Sequence, residues 1–217
     1  MLALSMSKPS QLRAFKPSTA SRVLDVAERL VQTRGFNGFS YADISAELGI
    51  TKATLHHHFA TKAELGHALI ERYAENFKAA LATIDARSTG ARRKLESYVQ
   101  LYREVLSGQR LCLCGMLAAE YRTLPKPMQL GIRRFFDANE TWLATVIERG
   151  RRAGELQKRG TAIDVARMLL GALEGAMLVA WPSNDVERFA AAADTALGCL
   201  TLRDLSVASA RARRSGT

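Results

Sequence analysis

The residues best placed to do chemistry lie between Gly35 and Leu65. A helix that reads DNA in the major groove must be short, and its first residues must be small or polar enough to reach base edges. Thr51, Lys52, Ala53 and Thr54 meet that need directly after the turn at Gly49. Threonine hydroxyls can hydrogen-bond bases and threonine methyls can touch thymine, while lysine suits guanine or phosphate. Tyr41 and Lys62 stand at the starts of the flanking helices, where backbone N–H groups point outward. Both are therefore expected at phosphates, which fix register while the helix between them reads sequence. His56, His57 and His58 close the short helix. Neighbouring helical residues point about 100° apart, so the three rings cannot converge on one ion. Neither a metal nor a cofactor is expected.

Helices must position these groups. Val23, Leu24, Ala27, Leu30 and Val31 recur at helical spacing over about residues 21–33, and Gly35 stops that helix. Ser40 with Asp43 makes a near capping box for a second helix, which Gly49 ends. Thr51 caps the third over 52–58, with Leu55 and Phe59 pointing back into the domain. Thr61 and Glu64 form a capping box for a long fourth helix to about residue 84. Further helices are expected over about 91–106, 112–121, 128–152, 162–180 and 185–202, separated by glycine, serine and proline breaks. The fold class is all-α, with about nine helices and no internal repeat. Residues 18–66 form a helix-turn-helix domain and 67–205 a larger helical one. Residues 1–17, carrying Lys8, Arg13 and Lys16, read as a flexible basic arm, and 206–217 as a flexible tail.

Composition bounds the possibilities. In 217 residues, 47% are hydrophobic, enough for a sizeable core. Lys and Arg number 31 against 21 Asp and Glu, a net charge of +10 that suits a polyanion, either nucleic acid or an anionic membrane. No stretch is apolar enough to span a bilayer, since the richest, from Met168 to Trp181, is interrupted by Glu174. No amphipathic basic helix carries the aromatic anchors of a membrane-surface binder. The start is too weakly apolar for a signal peptide, and three cysteines do not make a secreted disulfide framework, so a cytoplasmic protein is expected. The sequence lacks a P-loop, a G-x-S-x-G elbow, an H-E-x-x-H helix and a glycine-rich nucleotide fingerprint, so no enzyme is expected.

Residues from about Arg22 to Leu69 resemble the DNA-binding domain of TetR-family transcriptional regulators. The resemblance is carried by Gly35-Phe36, Ser40, Ile44, Gly49-Ile50-Thr51, Leu55, Phe59, Lys62 and Leu65. Where members usually have a tyrosine that helps hold DNA, this chain has His56, which can donate to phosphate most strongly when protonated. His56 and His57 are placed with the DNA-facing set. The resemblance implies a larger C-terminal domain for ligand binding and dimerisation, and a homodimer on double-stranded, palindromic operator DNA released by an unidentified small-molecule inducer.

The remaining residues are read for those two tasks. A ligand cavity is expected among the fifth to eighth helices, with Tyr102, Met116, Phe136, Trp142 and Met168 as linings. Glu120, on an otherwise apolar helix, would meet a ligand donor or an internal arginine. Cys112 and Cys114 open the sixth helix beside Arg110. A thiol at a helix start can have a lowered pKa, although two small buried apolar residues would fit equally. The run from Cys112 also resembles a TetR subgroup in which some members sense electrophiles or oxidants, so a cysteine-sensing repressor of the same fold is the alternative function. Leu169, Leu170, Leu173 and Met177 form an apolar face on the eighth helix, and Phe189 and Leu197 one on the ninth. The residues fit either a subunit core or a four-helix dimer interface, and the resemblance favours the interface.

Overall fold

A computed structural model describes residues 18–201. The basic arm and the tail expected at 1–17 and 206–217 lie outside them. The described residues form nine α-helices: α1 (Thr19–Arg34), α2 (Tyr41–Leu48), α3 (Lys52–His58), α4 (Lys62–Arg87), α5 (Ala91–Ser107), α6 (Leu113–Ala119), α7 (Lys126–Arg152), α8 (Ala162–Ala180) and α9 (Val186–Gly198). Short 3-10 turns follow α6 and α8. The one β-bridge among them joins Leu156 to Thr201.

The N-terminal unit is built by caps and a small core. Ser18 accepts from the Ser21 N–H to start α1, and Thr51 accepts from the Thr54 N–H to start α3. Asp43 reaches back to the Ser40 N–H at 2.8 Å, as its spacing predicts. Glu64 differs from the expected box, because its carboxylate takes the Ala60 N–H rather than that of Thr61. Gly49 turns the chain between α2 and α3 with φ +64, a left-handed conformation that costs glycine nothing sterically. Val23, Ala27, Val31, Ile44, Leu55 and Leu65 are fully buried between the four helices.

The larger body stacks α7 on α8 and α8 on α9, with α4 and α5 packed against α7. α4 runs unbroken past residues 66 and 67 and so belongs to both units. Arg72 on α4 pairs with Asp25 at 2.6 Å and Glu28 at 2.8 Å on α1, fixing the long helix to the first. Loops are closed by charged side chains on backbone groups. Glu155 accepts from the Ala91 N–H at 2.6 Å to start α5. Arg151 donates to the carbonyls of Gln157, Arg159 and Gly160, tying the α7–α8 loop to the end of α7. No described helix is long and apolar enough to cross a membrane.

Candidate nucleic-acid interface and effector cavity

The exposed end of α3 is formed by Thr51, Lys52 and Ala53, with Thr54 half-buried behind them. The Thr51 and Thr54 hydroxyls are 2.9 Å apart. They therefore support each other as the cap while Lys52 projects freely. His56 and His57 are exposed one turn on. The Nδ1 of His56 lies 3.0 Å from the Ala60 carbonyl, which can only accept, so Nδ1 carries the proton. A neutral His56 ring thus has its single N–H committed, and its other nitrogen donates outward only once protonated.

Tyr41 and Lys62 are placed otherwise than expected. Tyr41 is buried, and its hydroxyl donates to the Phe59 carbonyl at 2.8 Å, clasping α2 to the end of α3. Burial, with the nearby Glu64 charge, pushes its pKa up to about 12. The Lys62 ammonium donates to the carbonyls of Phe36, at 2.6 Å, and Phe39. It also lies 4.6 Å and 4.3 Å from the centres of those two phenyl rings. Burial lowers its pKa, an effect the Glu120 and Asp43 carboxylates partly offset. Both side chains brace the α1–α2 turn and the helix ends, Tyr41 from a buried position and Lys62 from a half-buried one, and the polar group of each is engaged by backbone carbonyls.

Glu120 is a second correction. It lines none of the cavities described below and pairs with no arginine among the described residues. Its carboxylate accepts from the backbone N–H of Phe36 at 2.7 Å and of Asn37 at 3.3 Å. Thr123 continues the contact through the Asn37 side-chain amide at 2.9 Å. Gly35 is what lets the carboxylate so close, since its φ is +79 and any Cβ there would lie 2.8 Å from Glu120 Oε1. The end of α6 is thereby latched to the turn that precedes α2.

The expected cavity linings do not share one space. Trp142 lines an open groove of about 840 Å³ between α4 and α7. Cys112, Met116 and Phe136 line a smaller hollow of about 260 Å³ between α6 and α8. Tyr102 borders only a crevice of about 10 Å³ between the helices. Met168 lines none of these and is 46% exposed on α8. Sequence reasoning missed Glu174 as a lining of the small hollow. The signal was there, a lone acid in an otherwise apolar helix, but it was read only as an interruption of hydropathy.

Cys112 and Cys114 are both buried. Burial and the Glu174 carboxylate push both thiols well above the usual thiol range, opposite to the lowered pKa a reactive thiol needs. The expected interface residues are placed inside one subunit. Leu169, Leu170, Leu173, Met177 and Phe189 are buried in this chain's own core, and Leu197 is half-buried against it. The opposite face of α8 leaves Met168, Leu178 and Val179 exposed, with Gly171, Ala172 and Gly175 between them.

Comparison with known proteins extends over most of the chain. Residues 23–69 match the family model described as bacterial regulatory proteins, tetR family. A TetR-family transcriptional regulator from Agrobacterium tumefaciens has the same fold with a TM-score of 0.82 and 32% identity, covering 84% of this chain and 97% of that one. The HTH-type transcriptional repressor DhaR of Mycobacterium sp. (strain GP1) is 24% identical over 146 residues, 67% of this chain and 73% of that protein. The HTH-type transcriptional regulator CymR of Pseudomonas putida is 23% identical over 180 residues, 79% of this chain and 83% of its own.

Proposed function

The chain belongs to the TetR family of transcriptional regulators, and from that premise we propose that it is a homodimeric repressor released from a palindromic operator by a small effector. The observation that carries this reading is the α6 latch. The helix that lines the small hollow through Gly115 and Met116 ends in Glu120, which holds the α1–α2 turn. An α-helix rises about 1.5 Å per residue, so Gly115 and Met116 lie only about 6–8 Å from Glu120 along one rigid rod. A ligand that wedges α6 from α8 moves the point from which the DNA-reading unit is held.

Thr51, Lys52, Ala53 and Thr54 form the reading end, and His56 and His57 reach the backbone beside it. Two copies would set their α3 helices about 34 Å apart, one turn of DNA. The exposed stripe of Met168, Gly171, Ala172, Gly175, Leu178 and Val179 supports the dimer, because small residues between apolar ones let two helices approach closely. The domain limits follow the same reading, with 18–66 as the DNA-binding unit and 67–205 as the effector and dimer unit. The cysteine alternative gains nothing from two thiols held un-ionised.

The test is selection of binding sequences from random DNA, followed by competition of the winner against random duplex. The expected specificity ratio is about 1,000 or more. Thr54→Ala should change the selected sequence, and Lys52→Ala should weaken selected and random DNA together. Equal affinity for selected and random duplex would overturn the reading.

A further inference from the structure

We propose that the hollow between α6 and α8 takes a hydrophobic amine whose ammonium seats on the Glu174 carboxylate. The inference deepens the effector reading and rests on it for any consequence at DNA. Glu174 projects from α8 into a space otherwise walled by Leu111, Met116, Ala119, Phe136 and Leu178. A carboxylate among apolar side chains is strongly disfavoured unless a cation or several donors meet it. Glu174 has two weak neutral donors, the Tyr102 hydroxyl at 3.4 Å and the Cys112 thiol. No Lys, Arg or His among the described residues pairs with it. Its missing partner is a positive charge, and the hollow is where one can enter.

The walls fit that occupant. Glu174 Oε2 lies over the bare Cα of Gly115, in space that any side chain at that position would fill. That oxygen therefore rests against α6 where the bare Gly115 admits it, and the hollow that Glu174 lines begins beside it. Phe136 adds an aromatic side chain to the lining, a residue type that can attract cations. A volume of about 260 Å³ suits a short apolar body. The larger groove between α4 and α7 has no such selectivity. There Glu71 pairs with Arg134, Glu75 with Lys78, and Asp85 with Lys94. Its remaining charges, Asp137 and Arg149, are exposed to solvent, whereas Glu174 sits among apolar side chains. An anionic ligand of the same shape would set like charges together in the small hollow.

The experiment is calorimetric titration of the full chain, without DNA, with octylamine, octan-1-ol and octanoate, which share one apolar body. Octylamine should bind at least about tenfold more tightly than octanol, with octanoate weakest. Glu174→Gln, which keeps the shape of the side chain, should bring octylamine to the octanol level and leave octanol unchanged. Met116→Trp, which fills the hollow, should weaken both. Equal binding of octylamine and octanol to the unaltered chain would overturn the proposal, as would undiminished octylamine affinity in Glu174→Gln. DNA anisotropy separates the two readings. Operator release by octanol or octanoate without amine preference sinks the amine while sparing effector control. Amine binding through Glu174 with unchanged operator affinity upholds the proposal and sinks effector control.

Discussion

Tyr41 and Lys62 turn their polar heads onto backbone carbonyls where the sequence places them at phosphates, and Glu174 sets a carboxylate among apolar side chains. For Lys62 the cause is local. The end of α1 and the turn after it expose the carbonyls of Phe36 and Phe39, and one ammonium answers both. Lys62→Met keeps the stem but leaves those carbonyls without their donor. It should lower stability by about 1–3 kcal/mol, read as a lower urea midpoint. Tyr41→Phe removes one bond to the Phe59 carbonyl and should lower stability by about 1 kcal/mol. If Lys62→Met weakens DNA binding at unchanged stability, the ammonium faces phosphate after all. Glu174 acts in the opposite sense. Burial raises its pKa, and the Cys112 and Tyr102 donors partly oppose this. Cys114 of α6 also packs nearby, itself un-ionised. A raised folded-state pKa means the folded chain holds the proton more firmly than the unfolded one. The contribution is full below about pH 4.3, the unfolded carboxyl value, and is lost as pH rises through the folded value. Glu174→Gln should therefore melt higher than the unaltered chain at pH 8, with the gap closing at pH 4. A gap independent of pH would show that Glu174 is not ionising in the fold.

At the scale of elements, the helices were legible because their signals are local. Ser40, Thr51 and Thr61 start helices where their caps predict, and α3 and α8 have the expected bounds. What covers a helix is not a local property. α8 is apolar on two faces, so periodicity found the Leu169–Leu173–Met177 face without revealing that it belongs to this chain's own core. The fainter stripe of glycine, alanine, Leu178 and Val179 was left outside. Glu120 was illegible for a related reason. Its partners are backbone amides 84 and 83 positions away, and no side-chain pattern marks a backbone amide. Glu120→Gln keeps shape but replaces a charge-assisted acceptor with a neutral one. Amide hydrogen exchange at Phe36 and Asn37 should then quicken while α8 keeps its protection. The effect of a bound ligand on operator affinity should shrink in the same variant. Unchanged exchange at those two amides would show the latch to be dispensable.

For the whole molecule, a charge of +10 draws DNA without choosing a sequence, and choice falls to a reading end of four residues. One such end has little area, and the proposed homodimer would set two of them on one operator. Val179→Asp puts a charge on the exposed stripe of α8 without touching the subunit core or the hollow, since Val179 is 53% exposed. It should convert dimer to monomer in sedimentation equilibrium at unchanged helicity, and weaken operator binding about 100-fold or more. A dimer that survives Val179→Asp would move the interface to another face.

The latch of Glu120 also bears on how such a protein can change over generations. It grips the backbone amides of Phe36 and Asn37 beside the bare Gly35, with one side-chain bond, from Asn37 to Thr123, added to the grip. Substitutions that retarget the reading helix leave the grip in place. A foreign reading unit grafted ahead of α6 would inherit the same control if its turn kept a glycine and two free amides. New targets and new ligands can then be acquired separately.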